Sequence, residues 1–543
     1  MKAGSRQVKV PPLYLGLDAS TQHLALQAVE VEDGVPRLVF EHALTFERDL
    51  PAYGTRHGVL PNDDPRLVVA PPLMWADALD RVMAAFAASG LDRARVAAIS
   101  GSAQQHGSVY LSAAAFPVLA ALDPGRPLVD QLAGVFARPV APVWLDASTS
   151  VECGEITRAM GGAEALAQLT GSRPFERFTA AQIRRFSKTE PDAYARTARI
   201  HLVSSFLASL LAGGDAPLDP GDASGMNLMD LSTSRWSPPA LAAAAPDLET
   251  KLPRIVPSST IVGTLARYWR DRYALPAAAI VAWSGDNPSS LIGTGLVEEG
   301  RAAISLGTSD TIFGLMKAPR VDETMTGHVF GAPTGDFMGI TVFSNGSLAR
   351  ERVRDAYGYD WRAFSSALER TPPGNGGALM LPWFVPEITP HVTSPAVHRF
   401  GLDPADGPPN VRALVEAQMM AMANHSRWMN VTIGTIHATG GAAANAAILR
   451  IMADVFGADV YQVPVGNAAC LGAALRAWHA DARARGREVP WTSIVRHIAE
   501  PVAASRLAPI PANARLYADL RARYSRFEQT AAYRAPSNSS TTS

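Results

Sequence analysis

Two hydroxyl-bearing turns carry the first chemical signal in the sequence. Each follows a short apolar run and precedes a second β-prone run, so each predicts a β-hairpin with polar groups at its tip. Consecutive N–H groups and hydroxyls at such a tip form a concave site that holds phosphate oxygens without a P-loop. The candidate phosphate-binding residues are Ser20 and Thr21 in the first turn and Gly307 and Thr308 in the second.

Two carboxylates stand where predicted strands end. Asp18 closes the first strand and is suited to orient a magnesium ion through water, because magnesium keeps much of its hydration beside nucleotide phosphates. Asp286 lies in a segment, 279–290, that predicts a buried strand, a glycine turn and a helix start. There it could accept the proton of an attacking hydroxyl. The alternative is that Asp286 or Asn287 merely caps the helix before Pro288.

Two further segments have the side chains that a polyhydroxylated ligand needs. The loop 101–108 follows an apolar strand and is dense in donors and acceptors, among them His106. Arg177 lies between aromatic residues, where it could hydrogen-bond sugar oxygens. The alternatives are a histidine satisfied within its own turn and a surface ion pair of Arg177 with Glu176 or another acid, which is worth little energetically.

A glycine pair near the last third of the chain favours a nucleotide site. Gly440 and Gly441 follow a predicted strand and precede a helix, and adjacent glycines let a flat purine or ribose approach the backbone. Asn445 could contact the polar edge of the base. A Gly-Gly pair is also a common strand-to-helix turn. No GxGxxG fingerprint with a downstream acid is present, which disfavours a dinucleotide-dependent dehydrogenase.

The composition bounds the class of protein. The 543 residues exceed what one hydrophobic core supports, so at least two domains are expected. The net charge of -1 disfavours a nucleic acid or an anionic membrane as partner. Cys153 and Cys470 are far apart and outside any metal-binding pattern, which favours a reducing, cytoplasmic location. Residues 1–12 do not form a signal-peptide pattern, and no apolar stretch is long enough to cross a bilayer.

The order of elements predicts an α/β protein with two related halves. Apolar β-like runs alternate with helix-like stretches rich in Ala, Leu and Arg, and the hydroxyl-tipped hairpin occurs once in each half. We expect a flexible leader over 1–12, an N-terminal domain over 13–300 and a C-terminal domain over 301–530. The Ser/Thr-rich end, 533–543, is predicted to be disordered.

Ten segments in order along the chain, from about Tyr14 to Ala474, resemble the FGGY family of carbohydrate kinases. Within that family the likeness is to the longer, eukaryotic-type members that act on D-xylulose. Any one segment is unspecific, whereas the ordered set is highly specific. The segments are YLGLDASTQ, FERDLPAYGT, SGSAQQHGSVY, PVWLDASTS, LTGSRPFERFTAAQI, DASGMNLMD, SGDNPSSL, ISLGTSDTIF, FSNGSLARE and ATGGAAANAAIL.

The resemblance implies two actin-like (ribonuclease H-like) α/β domains with an active-site cleft between them. It further implies transfer of the γ-phosphoryl group of ATP to the C5 hydroxyl of D-xylulose, giving D-xylulose 5-phosphate and ADP, with Mg²⁺ required. Ser20 departs from the shorter bacterial members, which have glycine there. By the same resemblance Asp286 is the catalytic base, Asp18 the metal-orienting acid, His106, Arg177, Asp286 and Asn287 the sugar contacts, and Gly440, Gly441, Asn445 and Trp361 the adenosine contacts.

Two rival functions remain open at this point. One is another substrate in the same enzyme class, such as ribulose or glycerol, which the sugar loops rather than the phosphate loops would decide. The other is an actin-like nucleotide-binding regulator that phosphorylates no sugar, against which Asp286, His106 and Arg177 argue. The sequence is compatible with a monomer or a homodimer.

Overall fold

The computed structural model describes residues 10–463 and 466–534. The chain divides into two compact units. Of the described residues, unit 1 holds those up to Val297 together with Phe330–Phe337 and Gly466–Glu500, and unit 2 holds the others. Residues 1–9 of the predicted leader and 535–543 of the predicted tail lie outside the described residues.

The strands are short and mostly buried, as apolar runs bounded by turn residues predict. In chain order they are β1 (Leu13–Ala19), β2 (His23–Glu32), β3 (Val35–Thr45), β4 (Val69–Ala70), β5 (Val96–Ala103), β6 (Ser108–Ser112), β7 (Ala141–Pro142), β8 (Thr197–Leu202), β9 (Met229–Asp230), β10 (Arg235–Trp236), β11 (Ile261–Thr264), β12 (Ala279–Val281), β13 (Ser284–Gly285), β14 (Arg301–Leu306), β15 (Asp310–Met316), β16 (His328–Gly331), β17 (Phe337–Phe343), β18 (Leu379–Pro382), β19 (Val397–Phe400), β20 (Thr435–Thr439) and β21 (Asp459–Gln462).

The helices cover the sheets, with 3₁₀ turns such as Gly441–Ala444 between them. They are α1 (Phe46–Asp49), α2 (Pro72–Ala87), α3 (Ala115–Ala120), α4 (Leu128–Leu132), α5 (Ser150–Ala159), α6 (Ala163–Thr170), α7 (Thr179–Thr189), α8 (Pro191–Arg196), α9 (Val203–Ala212), α10 (Pro220–Ala223), α11 (Pro238–Ala244), α12 (Leu248–Lys251), α13 (Arg267–Tyr273), α14 (Asp286–Gly293), α15 (Ser347–Ala356), α16 (Trp361–Arg370), α17 (Gly407–His425), α18 (Ala446–Phe456), α19 (Ala468–Ala484), α20 (Trp491–Val495) and α21 (Pro511–Arg534). None in the described part of the chain is long and apolar enough to span a membrane.

The main sheet of unit 1 brings distant segments to one edge. Its order is β11-β12-β5-β1-β2-β3, with β13 also paired to β5. Strand β1 is antiparallel to β2, as the predicted hairpin requires, and parallel to β5. The register places Asp18 opposite Ser102, and Ser102 also pairs with Ser284 on β13. Because parallel strands end at the same edge, Asp18 and the turn before Asp286 lie at neighbouring strand ends.

The main sheet of unit 2 has the same plan. Its order is β16-β17-β15-β14-β20-β21, in which β14 is antiparallel to β15 and parallel to β20. In both sheets the first strand of the hairpin therefore lies between its hairpin partner and a parallel strand from further along the chain. The prediction of two related halves, each opening with a hairpin, is confirmed.

Helix α19 lies within the range predicted for the C-terminal domain but is part of unit 1. It crosses α14 at very short range: a Cβ added to Gly293 would lie 1.8 Å from the carbonyl oxygen of Ala468, and one added to Gly472 would lie 1.9 Å from that of Ser289. Only glycine permits this approach. The close crossing holds α14, the helix that begins with Asp286, against a long helix behind it.

Candidate active site

Asp18 is a buried carboxylate at the end of β1. The residue is 4% exposed, and the Ser102 hydroxyl donates to Asp18 Oδ1 at 2.7 Å. Burial and, after it, the negative charge of Asp286 raise the pKa of Asp18 to about 7, against the hydrogen bond from Ser102, which lowers it. A positive charge placed near the two carboxylates would therefore be favoured.

Asp286 is the first residue of α14. The residue before the helix is Gly285, so neither Asp286 nor Asn287 is its N-cap, and the helix-capping alternative is wrong. The Asn287 N–H donates to Asp286 Oδ1 at 2.8 Å. Burial raises the pKa of Asp286 to about 6, against backbone hydrogen bonds from Asn287 and Gln105 that lower it. A carboxylate that titrates near neutral pH is suited to accept a proton.

His106 presents one defined ring nitrogen as an acceptor. Its Nδ1 lies 2.7 Å from the Gly225 carbonyl oxygen, and a carbonyl can only accept, so Nδ1 carries the hydrogen. Burial, reinforced by the charge of Arg177, lowers the pKa of His106 to about 3. The ring is therefore neutral, and Nε2 is left as the acceptor. The backbone of His106 is left-handed, with φ of 72°, and its ring packs 4.4 Å from that of Phe178.

Arg177 stands among aromatic rings. Its guanidinium lies 5.8 Å from the ring centroids of both Trp144 and Phe175, and burial lowers its pKa. Arg177 is thus more buried than it would be as a member of a surface ion pair. The indole Nε1 of Trp144 donates to Thr21 Oγ1 at 2.7 Å, which connects this cationic group to the first hairpin.

Gln105 links the helix start to the loop after β5. Its Oε1 accepts from Asn287 Nδ2 at 2.9 Å, and its Nε2 donates to the Gly221 carbonyl at 3.3 Å. Gln105 and Trp144 lie within the segments that resemble the family, but neither is among the site residues predicted from the sequence. The amide group of Gln105 and the indole group of Trp144, within the segments that resemble the family, were the only sequence features that could have indicated a role in the site.

Arg476, on α19, is a buried cation behind the strand ends. It donates to the Ala282 carbonyl at 2.6 Å and to the Gly101 carbonyl at 3.2 Å, and its charge lies 3.7 Å from Asp219. Its side chain is 1% exposed. Removal of one partner from such a pair leaves an uncompensated buried charge, which is strongly destabilising. Arg476 therefore ties together the ends of β5 and β12, and no local sequence signal predicted it.

The first hairpin turn is held by its own side chains. The Ser20 hydroxyl accepts from the His23 N–H at 3.3 Å and lies 2.9 Å from His23 Nδ1, while the Ser20 N–H donates to the His23 carbonyl at 2.9 Å. Ser20 thereby fixes the shape of the turn. Thr21 is partly exposed at the tip.

The second hairpin turn is held in place by contacts with α15. The Gly307 carbonyl accepts from the Ser347 N–H at 2.8 Å, and Arg350 forms a two-pronged ion pair with Asp310 at 2.8 and 2.9 Å. Arg350 and Asp310 are almost completely buried, so this pair depends on good geometry on both sides. Thr308 is exposed at the tip.

A cavity of about 690 Å³ opens beside that second turn in unit 2. This volume is in the range of pockets that hold nucleosides and similar ligands. Trp361, on its wall, is 45% exposed, which is unusual for a large aromatic side chain. The predicted site residues that line the cavity are Gly307, Thr308, Trp361, Gly441 and Asn445.

The two glycines of the predicted nucleotide turn differ in what they do. Gly440 has φ of 84°, and a Cβ there would lie 2.5 Å from the Leu306 carbonyl oxygen, so it is needed for packing against β14. A Cβ on Gly441 would meet nothing within 4 Å. Asn445 caps α18, since its Oδ1 accepts from the N–H groups of Ala447 and Ile448, and its Nδ2 donates to Ser365 at 2.7 Å.

Two α/β units of one topology, one with paired carboxylates and one with a nucleoside-sized cavity, define the class of actin-like phosphotransferases. The model of the N-terminal domain of the FGGY family of carbohydrate kinases matches residues 138–293, and that of its C-terminal domain matches residues 302–480. The chain belongs to the FGGY family of carbohydrate kinases, and the protein is a carbohydrate kinase.

Known proteins similar to the chain are sugar kinases. Xylulose kinase of Mus musculus is 42% identical over 527 residues, which cover 95% of this chain and 94% of that protein. Ligand-bound xylulose kinase from Lactobacillus acidophilus superposes with a TM-score of 0.79 at 17% identity, covering 96% and 98% of the two chains. Gluconate kinase from the same organism gives 0.80 at 16% identity, with the same coverage. These structures confirm the α/β, actin-like fold, and their different names show that the fold does not select the sugar.

Proposed function

We propose that the protein transfers the γ-phosphoryl group of ATP to the C5 hydroxyl of D-xylulose, forming D-xylulose 5-phosphate and ADP. The observation that carries the proposal is Asp286, a partly buried carboxylate with a pKa raised to about 6, held beside Asn287 and Gln105. The choice of sugar rests on the likeness to mouse xylulose kinase over nearly the whole chain. Both cysteines are free, which supports a reducing compartment, the cytoplasm, as its location.

On the sugar side, unit 1 offers groups of complementary kinds. His106 Nε2 accepts a hydrogen bond from one sugar hydroxyl, the Arg177 guanidinium donates to sugar oxygens, and Asn287 adds an amide. Asp286 takes the proton of the attacking hydroxyl as the new P–O bond forms and the bond between the γ-phosphorus and the bridging oxygen breaks, so that this oxygen leaves with ADP. A site that pairs each hydroxyl discriminates strongly, because the wrong epimer leaves buried polar groups unpaired.

On the nucleotide side, the cavity of unit 2 is suited to adenosine. Trp361 offers an aromatic face, and Gly441 leaves room for a flat ring or ribose against the backbone. Asn445, already engaged in capping α18, shapes the wall. The phosphate-binding groups of unit 2 are Gly307 and Thr308 at the tip of the second hairpin, and unit 1 offers groups of the same kind at Thr21 and the turn that Ser20 shapes.

Asp18 fits the role of the magnesium-orienting acid. It is a buried carboxylate whose ionised form is disfavoured by burial and by the neighbouring Asp286, and a divalent cation nearby would stabilise that ionised form. Asp18 would hold the hydrated ion from one side. When bound, Mg²⁺ neutralises charge on the nucleotide phosphates.

A panel of acceptors tests the proposal. ADP release is measured by a coupled assay with D-xylulose, D-ribulose, hexuloses, gluconate and glycerol, and D-xylulose is expected to give the highest kcat/KM. A higher value for another acceptor would refute the substrate assignment while leaving the carbohydrate kinase assignment intact. No release with any of them would contradict both the proposed reaction and the roles of Asp286 and His106.

Loss of Arg177 is expected to weaken sugar binding and to leave nucleotide binding nearly unchanged. In Arg177→Leu, the KM for D-xylulose should rise at least about tenfold, since charge-assisted hydrogen bonds are among the stronger ones. The KM for ATP should change less than twofold. The matched control is Arg173→Leu, another partly buried arginine of the same loop, whose guanidinium lies 3.9 Å from the Phe175 centroid. An equal rise of KM in both variants would indicate a general disturbance of the loop.

Gly441 and Gly440 form a matched pair for the nucleotide pocket. Gly441→Ala should raise the Kd for ADP several-fold without lowering the melting temperature, because the added methyl group enters open space in the pocket. Gly440→Ala should lower the melting temperature, since it combines a left-handed backbone with a contact of 2.5 Å to Leu306. Calorimetric titration with ADP and thermal unfolding check both. Unchanged ADP affinity in Gly441→Ala would remove this glycine from the nucleotide site.

A further inference from the structure

Unit 1 contains a second cavity, of about 510 Å³, whose lining residues are not among those assigned above to sugar, metal or nucleotide. Its walls come from five separate parts of the unit: the start of α10 at Pro220, β9 to β10 with their turn, the loop 255–259, the loop 331–337, and the C-terminal half of α19 with the start of α20. The volume lies in the usual range for small-molecule sites. A cavity built from so many segments is a feature of the tertiary structure alone.

The arginines that line this cavity outnumber its acidic residues. Arg235 and Arg483 both line it, both are exposed, and neither forms an ion pair with any residue in the described ranges. The acidic residue of the lining, Asp336, accepts a hydrogen bond from the Thr334 hydroxyl at 3.0 Å. Two unpaired guanidinium groups against one carboxylate make the cavity attractive to an anion, and arginine is the side chain best matched to phosphate oxygens.

The other walls offer hydroxyls and a flat ring face. Ser234 and Ser259 line the cavity, and their hydroxyls bond to none of the described residues, whereas the Ser258 hydroxyl donates to Asp219 at 2.6 Å. The rings of His479 and Trp491 stack at 4.1 Å. His479 Nδ1 is buried without a hydrogen-bond partner in the described part of the chain. Burial, with the charges of Arg483 and Arg476, lowers the pKa of His479 to about 4, so the ring is neutral and adds no cation.

We infer that this cavity binds a small organic phosphate, such as a sugar phosphate. The phosphate group lies between Arg235 and Arg483, the hydroxyl groups of the ligand meet Ser234 and Ser259, and its carbon face lies toward the His479–Trp491 stack. Binding adds the ion pairs that the two arginines lack within the described part of the chain. The site is independent of the proposed sugar and nucleotide sites.

The experiment measures binding of D-ribose 5-phosphate by isothermal titration calorimetry. ADP and D-xylulose are present at saturating concentration, so that the proposed active site is filled. The wild-type protein is expected to bind one equivalent. In the double variant Arg235→Ala/Arg483→Ala the Kd should rise at least about thirtyfold, because two charge-assisted contacts to phosphate are removed. Replacement of both by lysine should give an intermediate loss, since lysine is charged but cannot form the two-pronged contact.

The control is Arg158→Ala, in which an exposed arginine of the same unit is removed that also forms no ion pair with a described residue. Its Kd should stay within twofold of wild type, and all variants should keep the wild-type melting temperature because the arginines are exposed. No binding by the wild type at millimolar concentrations, or the same Kd in the double alanine variant, would overturn the inference. Equally tight binding of inorganic phosphate would overturn the assignment of an organic ligand.

Discussion

Replacement of Asp286 by asparagine is expected to lower kcat for sugar phosphorylation by ~10²–10⁴-fold, the usual contribution of a positioned base. The amide keeps the size of the side chain and an oxygen that accepts the Asn287 N–H, but it cannot take up the proton of the attacking hydroxyl. The fold should be unaffected, since Asp286 is not the N-cap of α14. Steady-state ADP release with D-xylulose measures the loss.

The Kd for ADP and the melting temperature are the controls for Asp286→Asn, together with Asp271→Asn, an exposed aspartate of the same unit whose side chain is 45% exposed. We expect a wild-type Kd for ADP and wild-type activity in Asp271→Asn, and for Asp286→Asn a melting temperature at or above the wild-type value, because burial disfavours the ionised carboxylate that the amide replaces. Activity within a few-fold of wild type would eliminate Asp286 as the base. A large loss of ADP binding would instead indicate a role in the metal site or the fold.

The pH dependence of wild-type kcat/KM should report the ionisation of the same carboxylate, Asp286. A base must be deprotonated, so kcat/KM should fall about tenfold per pH unit below a pH between about 6 and 7, the values to which burial raises the pKa of Asp286 and Asp18. The two carboxylates interact, so the acidic limb belongs to the pair. Asp286→Asn removes the neighbouring negative charge and should lower the pKa of Asp18.

Asp18→Asn should produce the second large effect, a loss of activity with a gain of stability. We expect kcat to fall ~10²-fold or more, because the orientation of the metal and phosphates matters most as charge redistributes in the transition state. The variant should also lose the wild-type dependence of activity on magnesium concentration. Activity measured against magnesium concentration tests both, and an unchanged profile would make Asp18 a turn residue only.

The stability effect of Asp18→Asn has a definite sign. The pKa of Asp18 is raised to about 7 in the folded protein from its ordinary value of 3.8, so the folded state binds the proton more tightly than the unfolded chain. The contribution of Asp18 to stability is therefore complete below pH 3.8 and is lost as the pH rises through 7. The asparagine of Asp18→Asn does not ionise, so the variant does not lose this stability as the pH rises. Its melting temperature should therefore exceed the wild-type value at pH 8 and match it near pH 4. A lower melting temperature at both pH values would indicate a structural role instead.

The sequence by itself determined the local units of this protein. Each hairpin is a run of apolar residues, a turn and a second run, and the structure has β1–β2 and β14–β15 at those positions. The start of α14 at Asp286 likewise follows from a strand, a glycine and a proline within a few residues. These features depend on contacts between near neighbours, which local sequence patterns specify.

Only the tertiary structure decided which of these units act together. Ser102 and Asp18 are 84 residues apart, and the parallel register of β1 and β5 makes them partners. The neutral state of His106 depends on burial and on the Gly225 carbonyl, 119 residues away. Arg476 reaches the Gly101 carbonyl across 375 residues because α19 returns to unit 1. The physical reason is that burial, charge and hydrogen bonding between distant segments arise only when sheets and helices pack, so pKa values and the second cavity have no local sequence signal.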